Sequence, residues 1–337
     1  MKSTVDKYGK KIQDGTINPI RDLSSAKSGL IFDPADAKTP LQVLGFGLYR
    51  LNGETVKGQT GEREYAFCPM EGSFTVMSEG VKYELDRTGG PFDAPIGKSS
   101  ASALYIPRDS QYEVSGKGEL VYYTAPSSKK MEPVLVSKGE KPNLSRGDLF
   151  WRRDVITLIE PGVSTNLNVG ETYSPPSLWS GTPSHVHDVG NEELGESEHE
   201  EVYYHRSRMQ DREVPNYAVQ LMFDGRTMNR AFLCPDRTAV AIPGGSHPVV
   251  ASPVSDCLYS FGLAGIEGPL GMRDLKDFAY LKKVGAFVDQ LREGHDGKAV
   301  FTASRDFLDG FIEENGLDEL QNKVTELILK EWGIRFK

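Results

Sequence analysis

Short apolar segments separated by turn residues follow one another along the chain from about Leu41 to Ala264. Most of them are rich in β-branched or aromatic residues and are bounded by Gly, Pro, Asp or Asn, which is typical of β-strands. Many short strands at regular spacing predict an all-β fold of the sandwich or barrel type. Clear examples are residues 42–50, 73–77, 103–106, 119–124, 202–204, 218–223 and 239–242.

The two halves of this region share a pattern. Each contains a strand–turn–strand stretch followed by a short apolar strand that ends in proline, Ala103-Leu-Tyr-Ile-Pro107 in the first half and Ala239-Val-Ala-Ile-Pro243 in the second. Residues 126–146 are rich in Pro, Ser and Lys, which indicates a linker. We therefore predict two similar β-domains, residues 1–130 and residues 147–268.

The pattern changes after about Gly268, where apolar residues recur at the spacing of an amphipathic helix. Ser304 stands in the position of an N-cap before one of these sets, and residues 272–291 are also predicted to be helical. Residues 269–337 are thus predicted to form a helical tail packed on the β-core, with a structural or oligomer-contact role. The apolar sets are Phe307, Leu308, Phe311 and Ile312, and Leu317, Leu320, Val324, Leu327 and Ile328.

Charge narrows the classes of partner. The 337 residues carry 48 acidic and 39 basic side chains, which gives a formal net charge of −9. Nucleic acids and anionic membranes are bound through clustered Lys and Arg, so we expect neither as a partner. A small acidic substrate remains compatible with this charge, because its pocket needs only one or two local cations.

Cysteine use and the N-terminus bear on the compartment. Cys68, Cys234 and Cys257 are far apart and odd in number, which indicates neither a disulfide framework nor a C-x-x-C metal pair. Residues 1–11 are polar and lack the apolar segment of a signal peptide. No stretch approaches the roughly 18 apolar residues of a membrane span. We therefore expect a soluble cytoplasmic protein.

Histidines supply the strongest chemical signal, since five of the six lie between positions 185 and 247. His185 and His187 form a His-x-His motif, and alternate side chains of a strand share one face. His247 follows Ile242-Pro-Gly-Gly-Ser246, a tight turn after a strand that can direct a side chain back into a barrel. Imidazole is the commonest transition-metal ligand, so these three residues indicate a metal site.

A carboxylate from the adjoining acidic stretch would complete the ligand set. Glu201 differs from its neighbours because it opens the strand Glu201-Val-Tyr-Tyr-His-Arg206, whereas residues 188–200 are predicted to be a solvated loop. His199 is predicted to be solvated in that loop, and His295 is predicted to lie in a surface turn. Three histidines and one glutamate suit Zn, Mn, Fe, Co or Ni.

The succession of His-x-His, Glu and a Pro-x-Gly turn carrying His resembles the two-part metal signature of the cupin superfamily. Three longer segments resemble the bacterial 5-deoxy-glucuronate isomerases, to which the 5-keto-4-deoxyuronate isomerases are related. They are residues 170–188, residues 200–206 and Ile242-Pro-Gly-Gly-Ser-His-Pro-Val249. A weaker similarity extends over about residues 30–268.

This resemblance implies a bicupin, in which two cupin-type β-barrels (double-stranded β-helices) share one chain and only the C-terminal barrel holds metal. The corresponding segments of the first half, residues 63–72 and 106–110, contain no histidine, and we expect that barrel to be structural. The implied cofactor is one divalent metal ion, with Zn expected first and Mn, Fe, Co or Ni as alternatives. Its ligands would be His185, His187, Glu201 and His247.

The implied activity is that of a metal-dependent aldose–ketose isomerase, which converts 5-deoxy-glucuronate to 5-dehydro-2-deoxygluconate in inositol catabolism. We expect Glu201, His205 and Tyr203 to act in proton transfer. A sugar-acid substrate carries a carboxylate that an arginine can hold with two parallel hydrogen bonds. The predicted substrate contacts are Arg153, Arg206 and Gln220, with Arg152 as an alternative.

Two departures from the family pattern leave the sugar open. The acidic stretch between His187 and Glu201 is long, and residues 151–156 differ from the family's usual sequence. An isomerase for a different sugar or uronic acid, an Fe(II)-dependent dioxygenase and a non-enzymatic sugar-binding cupin are therefore alternatives. Exposed barrel edges are also compatible with a homo-oligomer.

Overall fold

The computed structural model describes residues 3–94, 98–208, 216–265 and 270–337. Strands predominate up to residue 265, and helices predominate after residue 275. The predicted all-β class with a C-terminal helical extension is therefore confirmed.

Among the described residues, all but the first strand of the first half form one sheet, and an N-terminal helix lies outside it. The sheet order is β2-β3-β7-β4-β6-β8, with β5 paired to β4, and one of its faces covers an aromatic core that includes Tyr49, Phe67, Tyr112 and Tyr122. The elements are α1 (Thr4–Gln13), β1 (Ile20–Asp22), β2 (Gly29–Phe32), β3 (Gly45–Gln59), β4 (Arg63–Ser78), β5 (Val81–Arg87), β6 (Ala103–Ile106), β7 (Gln111–Pro126) and β8 (Val134–Val136).

The second half forms two facing sheets with a hydrophobic core between them. Their strand orders are β1-β17-β14-β19-β11-β10-β9 and β12-β18-β15-β16. The strands are β9 (Leu144–Arg146), β10 (Arg153–Ile159), β11 (Asn168–Ser174), β12 (Trp179–Ser180), β13 (His185–Val186), β14 (His199–Ser207), β15 (Tyr217–Phe223), β16 (Asn229–Pro235), β17 (Thr238–Ile242), β18 (Val249–Ala251) and β19 (Cys257–Gly265).

Another hydrophobic core joins the two halves. Phe46 packs against Tyr123 and Tyr204, with ring centroids 5.2 and 5.8 Å away. The ring of Tyr123 packs directly against the backbone of Gly262, where a Cβ atom would overlap it. The Tyr123 hydroxyl donates to Ser260 Oγ at 3.0 Å. Strand β14 is thus covered on both faces, and all nine of its residues are buried.

Buried carboxylates cross this joint in a reciprocal arrangement. Glu64 of the first half accepts the backbone N–H groups of Asn166 and Leu167, both at 2.8 Å. Glu200 of the second half accepts the backbone N–H groups of residues 42–44 at distances of 2.6 to 3.0 Å. These bonds satisfy N–H groups that the joint removes from water. Each half therefore fixes a loop of the other.

The N-terminal segment lies against the second half of the chain. Strand β1 pairs antiparallel with β17, so that Ile20 lies opposite Val240. Val5, Tyr8 and Ile12 of α1 are buried in the core of the second half. The segment therefore covers what would otherwise be an exposed edge of β17 and an exposed apolar surface.

The predicted division into residues 1–130 and 147–268 remains a prediction, with one difference: residues 3–22 pack outside the half to which they were assigned. Sequence patterns reveal that α1 has an apolar face, but they do not reveal which half this face contacts. The predicted linker, residues 126–146, contributes an edge strand to each side, because β8 pairs with β6 and β9 pairs with β10.

The C-terminal extension has its own hydrophobic core, which also takes in Trp151 from the second half. Ser304 caps α3 as predicted, but Leu320 and Leu327 of the predicted apolar set are exposed on α4. Among the described residues, none of the helices combines the length and apolar character needed to cross a bilayer. The elements are β20 (Arg273–Asp274), α2 (Lys276–Glu293), β21 (Phe301–Ala303), α3 (Arg305–Asn315), α4 (Glu319–Glu331) and β22 (Ile334–Phe336).

Candidate metal centre

Strand β14 places Glu201 in the interior of the second half. Side chains alternate along a strand, so Glu201, Tyr203 and His205 share the inner face while Val202 and Tyr204 join the core between the two halves. The long apolar contact with the first half fixes the register of β14, and this register decides which of the neighbouring glutamates points inward.

Three ligand-type side chains converge at this point. Glu201 Oε2 lies 2.9 Å from His247 Nε2 and 3.3 Å from His187 Nε2. Ligand atoms of the three residues all lie within 4.8 Å of one another. The residues come from β14, from the segment after β13 and from the turn between β17 and β18, so tertiary structure alone brings them together.

Backbone carbonyls fix the tautomers of His185, His187 and His247. The Nδ1 atoms of His185, His187 and His247 lie 3.1, 3.0 and 2.7 Å from the carbonyl oxygens of residues 183, 199 and 245, respectively. An Nδ1–H group that donates to a carbonyl leaves the lone pair on Nε2, which is the atom a metal would need. All three rings are therefore prepared as Nε2 ligands.

The Nε2 atoms of His187 and His247 are buried and make no hydrogen bond within the described residues, although both lie within ion-pair distance of Glu201. Buried polar atoms normally have a partner. The two Nε2 atoms and Glu201 Oε2 lie close together without forming hydrogen bonds to one another, an arrangement that fits three ligands of one metal ion. His187, Glu201 and His247 thus fit a divalent metal by their chemistry and by their unsatisfied nitrogens.

Ionisation states agree with a ligand set. Burial opposes the charge of Glu201, but the proximity of His187 and His247 lowers the pKa of this carboxyl to about 2. Burial lowers the pKa of His187, but Glu201, the carbonyl of His199 and Asp188 together raise it above its usual value. Glu201 is therefore ionised at neutral pH. A metal that binds here must displace any proton held by His187, which makes its affinity fall at acid pH.

His185, the fourth predicted ligand, lies at the edge of this group. Its ring centroid is 6.4 Å from that of His187 and 6.1 Å from that of His247, and it is not among the three residues whose ligand atoms converge. Burial and the neighbouring histidines lower the pKa of His185 to about 4, which keeps the ring neutral. The structure thus brings three of the four predicted ligands together and holds the fourth nearby.

The turn that carries His247 is shaped by glycine. Gly245 has a φ of 77°, in the left-handed region that glycine adopts without strain. Its N–H donates to Asp188 Oδ2 at 2.8 Å, and its carbonyl accepts from His247. Asp188 directly follows His187, so one carboxylate links the two histidine segments. The sequence analysis did not identify Asp188 as a site residue, although its position directly after the His-x-His motif could have indicated a role beside the ligands.

The predicted proton-transfer residues lie on the same inner face. Tyr203 stacks on Tyr259 with ring centroids 4.2 Å apart, and its ring lies 5.6 Å from that of His247. His205 Nε2 lies 2.8 Å from Gln220 Oε1, and burial lowers the pKa of His205 to about 4. A neutral His205 therefore donates to Gln220 Oε1, and in the part of the chain that the structure describes the buried amide nitrogen of Gln220 has no hydrogen-bond partner.

Of the predicted arginines, Arg153 borders the site and Arg206 does not. Burial lowers the pKa of Arg153, and the nearby hydroxyls of Tyr259 and Tyr203 oppose this shift. In the part of the chain that the structure describes, no carboxylate pairs with it; its guanidinium donates only to the carbonyls of residues 151 and 182. Arg153 is thus a half-buried cation, and in the described residues only one of its guanidinium nitrogens, Nη1, donates hydrogen bonds.

Arg206 points to the opposite face of β14, as its alternation from Glu201 requires. Its guanidinium lies 3.0 Å from Asp236 and 3.2 Å from Glu119 and joins the two halves of the chain. It is therefore committed to a structural ion-pair network rather than to a substrate. Arg152, the predicted alternative, is exposed and donates to Ser145.

The prediction that residues 188–200 form a solvated loop is wrong in part. His199 opens β14 and is 2% exposed, Glu200 is buried in the joint, and Glu196 is 4% exposed. The reason is that each finds a tertiary partner: Glu196, for example, accepts the backbone N–H groups of Asp188 and Val189. The polar composition of residues 188–200 predicted exposure to solvent, but the folded protein satisfies these polar groups with hydrogen bonds instead.

The chain is similar in sequence to known proteins. The KduI/IolB family model matches residues 20–280. The 5-deoxy-glucuronate isomerase of Geobacillus thermodenitrificans is 27% identical over 229 residues, which span 66% of this chain and 81% of that enzyme.

Solved structures show the fold. A crystal structure of an IolB-like protein from Salmonella typhimurium matches with a TM-score of 0.70 at 24% identity, over 79% of this chain and 99% of that one. Oxalate decarboxylase from Bacillus subtilis matches with a TM-score of 0.50 at 12% identity, over 77% of this chain and 78% of that one. The predicted cupin fold is confirmed.

Proposed function

Because the chain belongs to the KduI/IolB family, we propose that it is a metal-dependent aldose–ketose isomerase that converts 5-deoxy-glucuronate to 5-dehydro-2-deoxygluconate in inositol catabolism. The observation that carries the proposal is the convergence of His187, Glu201 and His247, with both imidazole Nε2 atoms buried and unsatisfied. The name of the relatives supports the sugar, and the buried ligand set supports the metal requirement.

We propose that His187, Glu201 and His247 hold a divalent ion, with His185 as the fourth ligand. When bound, such an ion supplies Lewis acidity at the substrate carbonyl and its neighbouring hydroxyl. Nitrogen-rich sets of this kind suit Zn first, and Mn, Fe, Co or Ni as well. His187, Glu201 and His247 are buried, and water screens electrostatic interactions less among buried groups.

The isomerisation moves the C2 proton of the hydroxy-aldehyde to the neighbouring carbon and the proton of the C2 hydroxyl to the former aldehyde oxygen. Within the described residues Glu201 Oε1 makes no hydrogen bond, so this oxygen is available to accept and return the proton. Burial raises the pKa of Tyr203 well above its usual value, and its hydroxyl therefore remains a donor. Gln220, oriented by His205, presents its amide N–H to a substrate hydroxyl.

Arg153 is proposed to hold the carboxylate of the sugar acid. Replacing it in Arg153→Met should raise KM about 10- to 100-fold with a smaller change in kcat, because a hydrogen bond to a charged group contributes about 1.5–3 kcal/mol. Steady-state kinetics would measure this split, and Arg153→Lys should recover part of the loss. The exposed Arg152→Met is the matched control. An unchanged KM in Arg153→Met would exclude this role.

The proposed reaction is tested directly by incubating the metal-loaded protein with 5-deoxy-glucuronate and following the ketose signals by NMR. Conversion should stop when the metal is removed by a chelator and resume when it is restored. In D2O, deuterium should enter the carbon that receives the proton. Failure to convert this sugar with Zn, Mn, Fe, Co and Ni in turn would exclude the substrate.

The same assay separates the other readings of the site. A panel of uronates, pentoses and deoxy sugars would reveal an isomerase with a different sugar. Oxygen consumption by the iron-loaded protein would indicate a dioxygenase. Saturable sugar binding without turnover, unchanged in His187→Ala, would indicate a binding protein.

A further inference from the structure

A strand of the C-terminal extension pairs with the strand that carries His185. Strand β13 pairs antiparallel with β20, so that His185 lies opposite Asp274. Within the described residues, β13 and β20 form a two-stranded sheet of their own, separate from both sheets of the second half. The backbone N–H of Leu275 also donates to the carbonyl of Ser184 at 2.8 Å. The ladder that fixes β13 is therefore supplied by the extension.

A second connection reaches the segment after His187. Arg273 Nε donates to Glu196 Oε2 at 2.6 Å. The other oxygen of Glu196 accepts the backbone N–H groups of Asp188 and Val189 at 3.1 and 3.0 Å. One buried carboxylate thus links Arg273 to the two residues that follow His187.

A third connection lies one residue further along. Ser197 donates its N–H to the carbonyl of Gly271, and the Gly271 N–H donates to Ser197 Oγ at 2.8 Å. The same hydroxyl lies 2.9 Å from His199 Nδ1, and the carbonyl of His199 accepts the Nδ1–H group of His187. Gly271 is therefore linked through Ser197 and His199 to the hydrogen bond that fixes the tautomer of His187.

The extension is itself held firmly in place. Its core includes Val284, Phe287 and Trp332 and buries Trp151, while Trp179 packs against it. Trp151 lies two residues before Arg153, which opens β10, and Trp179 lies in β12, the strand before the one that carries His185. Residues after 280 lie beyond the region that the family model matches, so this anchor is an addition to the matched core.

We propose that the C-terminal extension positions the metal centre and that Arg273 is its principal positioning residue. This inference rests on the proposed metal site. Arg273 and β20 hold the segment of residues 184–199 in the conformation in which His185 and His187 face Glu201. Without the ion pair, the segment samples other conformations, and the ligands lose their preorganisation.

The test is Arg273→Gln in the full-length protein. Outer partners of metal ligands typically contribute 10- to 100-fold to affinity, so competition with a chelator should show a loss of that size for Zn. Amide hydrogen exchange should become faster in residues 184–199. Arg273→Lys retains a positive charge that can pair with Glu196, so it should recover part of both effects.

The matched control is Arg305→Gln, which removes an exposed ion pair with Asp309 and Glu326 elsewhere in the extension. It should change neither the Zn affinity nor the exchange of residues 184–199. Equal losses in both variants, or wild-type affinity in Arg273→Gln, would overturn the proposal. Neither readout uses the sugar, so a shift in affinity without isomerase activity would sustain this inference while rejecting the proposed reaction.

Discussion

Glu201→Gln is expected to abolish stoichiometric metal binding and to lower kcat/KM by about a thousandfold or more. The carboxylate is the negative group between two imidazoles whose Nε2 atoms are buried and unsatisfied. Lewis-acid stabilisation is worth several kcal/mol in the transition state, and about 4 kcal/mol corresponds to a thousandfold in rate. Elemental analysis of the purified variant and its steady-state kinetics would measure the two effects.

The control for this variant is Glu193→Gln, which alters an exposed glutamate in the same acidic stretch. It should retain one equivalent of metal and its activity. If Glu201→Gln also retained a full equivalent of tightly bound metal, the ligand role of Glu201 would be wrong, and a neighbouring carboxylate would have to replace it.

Glu171→Gln is expected to reduce the free energy of unfolding by about 3–5 kcal/mol, which is the usual cost of removing one partner of a buried ion pair. Arg87 and Glu171 are 0% and 1% exposed and join β5 of the first half to β11 of the second. Their two parallel contacts measure 2.5 and 2.9 Å. The substitution leaves the Arg87 charge buried without its counter-charge. Urea unfolding followed by circular dichroism would measure the loss.

Two comparisons make this result specific. Glu113→Gln removes a largely exposed pair with Lys57 and should cost less than about 1 kcal/mol. The double variant Arg87→Met with Glu171→Leu should regain most of the stability, because it removes both charges from the interior. Equal stability of Glu171→Gln and Glu113→Gln would mean that the buried pair contributes no more than an exposed one.

The sequence was most informative where residue type and spacing carry the chemistry. The alternation of His185 and His187 predicted that both face one cavity, and the Pro-Gly-Gly turn before His247 predicted that this residue joins them. The choice of Glu201 among six nearby glutamates rested on where β14 begins. The structure opens this strand two residues earlier, at His199, yet the alternation that brings Glu201 inward is the same. Its role as a ligand stays a prediction.

What the sequence could not provide was the tertiary partner of each polar group. Glu200 is buried because the backbone of residues 42–44 donates to it from more than 150 positions away. Arg206 was predicted to hold the substrate, but Glu119 and Asp236 surround it instead. Such pairings depend on how the halves meet, and a single sequence contains no periodicity that encodes them.

The pairing of β1 with β17 has a consequence for the order in which the protein assembles. Ile20 lies opposite Val240, so β1 is synthesised 220 positions before its partner strand (240 minus 20). Contacts between such distant residues slow folding, and the apolar face of α1 stays open to chaperones or to other chains meanwhile. We therefore expect β1 and α1 to pack late in folding, after β17 has formed.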